Sequence, residues 1–125
     1  MILRTGTALL SMGLILLGLG ALFLPEFSSE GYGVPSVDST WVGATGLRDL
    51  ALGLMTLLLL LRQPSALRLF LPPLLVLPLG DIVLVLLAGK PLVNTAPHVV
   101  GTLAIGALSV LAWKEAKRTA APASE

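Results

Sequence analysis

No cysteine occurs in the 125 residues, which excludes disulfides, thiolate catalysis, haem attachment and cysteine zinc sites together. A single histidine cannot build a histidine-rich metal centre, so neither a metal nor a cofactor is expected. Charge is scarce: Asp, Glu, Lys and Arg make up 12% of the chain, where soluble domains carry about a quarter. The net charge of +1 and the scatter of basic residues leave no nucleic-acid footprint. Aromatics are few as well, at 5%. What fills the chain is aliphatic, 55% of it hydrophobic with a mean hydropathy of +0.94. A water-soluble domain this small buries only a little over half of what its unfolded chain exposes. The bilayer is therefore the expected solvent and the first expected partner.

Four apolar runs each approach the length of about twenty residues that a helix needs to cross the hydrocarbon core. They cover residues 5–24, 41–61, 69–88 and 96–113, and they stop at Pro25, Arg62, Gly89 and Lys114. Period-two alternation is absent and open sheet edges are not tolerated in lipid, so strands are excluded. The fold expected is all-α, a four-helix transmembrane bundle forming one domain over residues 1–118, with a disordered tail at 119–125. Arg4, Arg62, Arg68, Lys114, Lys117 and Arg118 fall on one side of such a bundle and Lys90 alone on the other. Six against one predicts that both termini are cytoplasmic. The protein is expected to be multi-pass, in a bacterial inner membrane or a eukaryotic endomembrane. The first run is too long for a signal-peptide core and lacks a convincing cleavage site, so it is expected to stay.

The one long connection, residues 25–40, is rich in turn formers: Ser28, Ser29, Gly31, Gly33, Pro35 and Ser36. It reads as a loop over the outer mouth, with Glu26, Glu30 and Asp38 as solvated charges and Tyr32 and Trp41 at the interface. Thr95 is placed to cap the fourth helix. Gly6, Gly13 and Gly20 recur every seven residues, so they share a face that suits helix packing or self-association into a homo-oligomer.

Ionisable groups inside the apolar runs are costly and normally find partners in an interior. Here they are Arg48, Asp49, Asp81 and His98. At 1.5 Å per residue the second-helix pair lies about 10 Å below its outer end, Asp81 lies at a similar depth on the ascending third helix, and His98 opens the fourth. All four therefore fall in the outer half of the bundle. Thr45, Asp49, Gly53 and Thr56 share one stripe, and His98, Thr102, Ile105 and Ser109 another. Arg48 is turned about 100° from Asp49, so the two are not expected to point at one spot. Pro78 removes the hydrogen bond to the Leu74 carbonyl and predicts a kink, with Gly80 thinning the backbone beside Asp81. No nucleophile elbow and no phosphate-cradling glycine loop is present.

The stretch Gly46-Leu47-Arg48-Asp49-Leu50-Ala51-Leu52-Gly53, with Gly80-Asp81 and His98 further on, resembles the pattern of a family of small four-helix membrane proteins of bacteria and fungi. That family is the domain of unknown function numbered 4267, and the resemblance runs from the first helix to Trp113. It implies an integral membrane protein and supplies no substrate or reaction.

Three functions stay open. The first is an intramembrane site that binds or transforms a small apolar molecule, with Asp81 as general acid or base, Arg48 as its electrostatic partner and His98 beside them as the catalytic set. Asp49, Thr45 and Thr102 would then contact the ligand. The second is a non-catalytic membrane subunit or assembly factor. The third is a small proton-coupled transporter, weakened by the absence of an acid in the first helix.

Overall fold

A computed structural model describes residues 1–32 and 38–120. Six α-helices follow one another: α1 (Ile2–Phe23), α2 (Pro25–Gly31), α3 (Ser39–Arg62), α4 (Leu67–Leu74), α5 (Val76–Leu87) and α6 (Ala96–Ala120). Short 3-10 turns at Pro64–Ala66 and Leu92–Thr95 lead into α4 and α6. With α4 and α5 counted as one interrupted rod, four helices are long and apolar enough to cross a membrane. The chain is a four-helix transmembrane bundle and a multi-pass membrane protein. Its outward side chains agree: Leu9 and Leu103 are each 69% exposed, which water would penalise and acyl chains do not.

The third rod is interrupted at Leu75, whose N–H turns to the Pro72 carbonyl at 3.1 Å, and to that of Pro73, in place of the helical partner at Leu71. Pro78 has no N–H to offer Leu74, the last residue of α4, so the expected break is present one residue on. Pro72 and Pro73 sit inside α4 and remove two more donors. At Gly80, beside Asp81, a Cβ would meet nothing within 4 Å among the described residues, so the backbone there borders open space. The rod ends in a Schellman turn, with Lys90 N–H on the Val85 carbonyl and Gly89 N–H on Leu86. Gly89 has φ +68, a left-handed conformation that an L side chain resists.

Part of the expected loop at 25–40 is helix. Pro25 holds Leu24 out of helical geometry (φ −134) and opens α2 as its first residue. Asp38 is the N-cap of α3 rather than a loop charge alone, its carboxylate accepting from Thr40 N–H at 2.8 Å. Gly33, Pro35 and Ser36 lie outside the described residues. The Thr95 hydroxyl donates to the Leu92 carbonyl at 2.7 Å within its own 3-10 turn, in place of the expected cap. At the C-terminus α6 continues past Trp113 to Ala120, so Thr119 belongs to it, and residues 121–125 lie outside the described part.

The tightest seam joins α1 to α3, and the glycines that make it are Gly18, Gly46 and Gly53. A Cβ on Gly18 would lie 2.6 Å from the Gly46 carbonyl oxygen, and one on Gly46 2.6 Å from the Ala21 Cβ. One on Gly53 would lie 2.8 Å from the Ile15 side chain, and the Ser11 hydroxyl donates to the Gly53 carbonyl at 2.8 Å. Small residues let the two backbones approach, and dispersion then replaces the hydrophobic effect that lipid does not supply. The Gly6–Gly13–Gly20 face behaves differently. Gly6 packs on Leu108 of α6 and Gly20 faces Ser28 of α2, both within the same chain, while Gly13 has empty space before it among the described residues.

A second body of packing, Leu3, Leu67, Leu71, Leu74, Ile105 and Leu108, ties α1, α4 and α6 together at the end of the bundle that holds both termini. The other end is less filled. There two cavities open beside the polar residues of α3, α5 and α6.

Candidate functional site

Each member of the site comes from a different element at the end of the bundle away from the termini. Arg48 and Asp49 lie two and a half turns into α3, Asp81 midway along α5, His98 on the first turn of α6, and Tyr32 just beyond α2. The structure brings them into a closed ring. The Arg48 guanidinium contacts Asp49 Oδ1 through Nε at 3.0 Å and Asp81 Oδ2 through Nη2 at 3.5 Å. The same Asp81 oxygen lies 3.5 Å from His98 Nδ1. His98 Nε2 sits 2.9 Å from the Tyr32 carbonyl oxygen, and the Tyr32 hydroxyl returns to Asp49 Oδ2 at 2.9 Å. Asp49 is 4% exposed and His98 8%, so these two are buried, while the Arg48 and Asp81 side chains, at 33% and 22%, are only partly so.

Arg48 and Asp49 are 100° apart around the helix, yet both enter one network, against expectation. An arginine side chain is long enough to fold back over its neighbour and still present a second face of its planar fork to Asp81. One cation thus serves two carboxylates. Buried charges need such pairing, since an unpaired ion in low dielectric costs several kcal/mol or more.

Tyr32 is a member that the sequence reading assigned to the membrane interface. Burial of its phenol, reinforced by the adjacent Asp49 carboxylate, pushes proton loss well above the ordinary tyrosine range. The hydroxyl therefore stays a donor and fixes Asp49. No local pattern marks it: it is the only tyrosine in the chain, in a polar stretch, and its link to Asp49 spans 17 residues.

The ring stands between two cavities that share Tyr32, Asp81 and His98. The outer one, about 190 Å³, opens among Ser29, Trp41, Val42, Thr45 and Leu84. The deeper one, about 220 Å³, is an apolar chamber between α1, α3, α4/α5 and α6, walled by Leu10, Leu14, Leu17, Leu52 and Leu77 with Gly13 at its side. Its polar wall is Arg48, Asp49, Asp81 and His98. Asp81 Oδ1, unlike Oδ2, has no hydrogen bond among the described residues, so one carboxylate oxygen remains available to a guest.

Of the other expected ligand contacts, Thr45 lines the outer cavity and Thr102 lines neither. The Thr102 hydroxyl donates to the His98 carbonyl at 2.8 Å, the usual fate of a threonine in an apolar helix. Thr56 and Ser109 do the same to Leu52 and Ile105, and Gly53 belongs to the α1–α3 seam. The two polar stripes are thus real only at their ends away from the termini. Among the described residues no three His, Asp or Glu gather to hold a metal ion.

A family model described as "Domain of unknown function (DUF4267)" matches residues 11–113, which include all five members of the ring. No curated protein and no solved structure matches the chain.

Proposed function

The chain belongs to the DUF4267 family, and from the site it carries we propose that it binds a small, largely apolar molecule with one polar end in the deeper chamber. The observation that carries this reading is the chamber itself: about 220 Å³ of mostly apolar wall closed on one side by a fully connected ionic ring. A cavity of about 150 Å³ holds benzene, so this one suits a guest of roughly eight or nine non-hydrogen atoms. Apolar lining with a few convergent polar groups is the usual character of a small-molecule site. The guest's polar end meets Asp81 Oδ1 and the free edge of Arg48, and its body lies against the leucines of α1 and α3. Asp81 and His98 are the groups able to move a proton to or from that end, which makes acid–base chemistry on the guest the natural extension of binding.

The bias of Lys and Arg supports placing both termini in the cytoplasm, which sets the ring and both cavities in the outer half of the membrane. The guest then enters from the outer face, past Trp41 and Thr45.

Gly13 offers a clean test, because it lines the chamber and a Cβ there would meet nothing within 4 Å among the described residues. Gly13→Leu fills the chamber and leaves the ring untouched. Benzyl alcohol should raise the thermal midpoint of the wild type in detergent and leave Gly13→Leu unchanged, the variant also cancelling any effect of the micelle. Equal shifts in both proteins would place the alcohol in the micelle or on the lipid-facing surface and reject the chamber.

A further inference from the structure

The geometry of the ring limits where a proton can sit, and that limit points to a class of guest. The Tyr32 carbonyl only accepts, so His98 Nε2 must donate to it and carries a hydrogen. Nδ1 then faces Asp81 Oδ2, and two lone pairs pointed at each other would repel. One further proton, on either Nδ1 or Oδ2, would turn this 3.5 Å approach into an attraction. With it the ring is neutral: Arg48 and that proton balance Asp49 and Asp81. Without it the ring carries one net negative charge in a low-dielectric interior. The remaining group that faces the ring is the Tyr32 phenol from the end of α2, which stays neutral, and α1 brings only apolar side chains to the chamber.

Resting on the chamber reading above, we infer that the natural guest is a small apolar amine bound as its cation, exchanging with the single proton shared by His98 and Asp81. The ammonium group donates to Asp81 Oδ1, the carboxylate oxygen that no described residue engages, and turns a second N–H to His98 Nδ1 in place of the departed proton, since Asp81 and His98 both line the two cavities. Its charge replaces the proton's, so the ring stays neutral and the cost of a buried net charge is avoided. No bond to carbon forms or breaks. One proton leaves for bulk water as one cation enters.

Benzylamine and benzyl alcohol test this, since they share a body and differ in the charge of the head. Calorimetric titration of the full chain in detergent, in two buffers of different ionisation enthalpy, reads the protons released per guest bound. Benzylamine should release about one proton, and its affinity should fall about tenfold for each unit the pH is lowered, which is one proton of linkage. Benzyl alcohol should bind with no release. Asp81→Asn should still bind the alcohol while losing both the amine and the proton release. Alcohol binding with amine binding absent, or amine binding without proton release, overturns the exchange and leaves the chamber standing. Failure of both guests to distinguish the wild type from Gly13→Leu overturns the chamber and the exchange together.

Discussion

Removing Arg48 is the sharpest perturbation of the ring, because one guanidinium there answers two carboxylates. Arg48→Met keeps an unbranched stem as far as the position of Nε and deletes the charge and all the donors. Asp49, 4% exposed, then keeps only the Tyr32 hydroxyl, and Asp81 only the His98 contact. Breaking a buried pair costs about 3–5 kcal/mol, and the partial exposure of the guanidinium, 33%, puts the expected loss near the low end, about 3 kcal/mol. The size of the loss alone does not identify its cause. A rescue does. Arg48→Met combined with Asp49→Asn and Asp81→Asn removes both orphaned charges, and the amides keep an acceptor for Tyr32 and a donor for His98. The triple variant should return to within about 1 kcal/mol of the wild type, a non-additivity that only coupled charges produce. Reversible unfolding in mixed micelles, followed by circular dichroism, measures all three proteins. An Arg48→Met variant as stable as the wild type, or a triple variant less stable than the single, would refute the pairing argument.

Tyr32 is the only tyrosine, so its ultraviolet titration is read without interference. In the folded protein it should remain protonated at pH 10, where free tyrosine is half ionised, and Asp49→Asn should bring its ionisation closer to normal. Because the folded value lies above the unfolded one, stability should decline as pH rises past about 10, and Tyr32→Phe should remove that slope. Gly46→Ala places a methyl group 2.6 Å from Ala21 Cβ, so the α1–α3 seam should loosen by about 1–3 kcal/mol, seen as a lowered unfolding midpoint. Thr7 is fully buried with its hydroxyl unpartnered among the described residues. Thr7→Val keeps the shape and should raise stability by about 1 kcal/mol in the same unfolding assay.

The spans were readable because length and unbroken hydrophobicity decide them, and lipid allows little else. The break near Pro78 was readable for a similar reason, since a missing donor acts within one helical turn. Gathering Arg48, Asp49, Asp81 and His98 at one level needed only the rise per residue and the up–down order of helices. What escaped depended on partners. Spacing of seven picks out Gly6, Gly13 and Gly20 as one face, but the seam formed at Gly18, Gly46 and Gly53, where two helices supply small residues at matching heights. Periodicity placed Thr102 on the face of His98 and could not show that its hydroxyl would turn back to the His98 carbonyl. The rule that neighbours on a helix diverge holds for Cβ atoms and fails for a side chain as long as that of Arg48. Tyr32 joins the ring through a short helix, α2, whose seven residues are too few and too polar to register as an element.

The central claim is that a guest occupies the space inside the bundle beneath the ring, and photo-crosslinking reads that location directly. A short aliphatic alcohol carrying a diazirine, small enough for the chamber, would be activated on the protein and its adducts mapped by mass spectrometry. Adducts concentrated on Leu10, Leu14, Leu52 and Leu77, and displaced by excess benzyl alcohol, are the predicted result. Adducts spread over outward leucines such as Leu9 and Leu103, undiminished by the competitor, would contradict it.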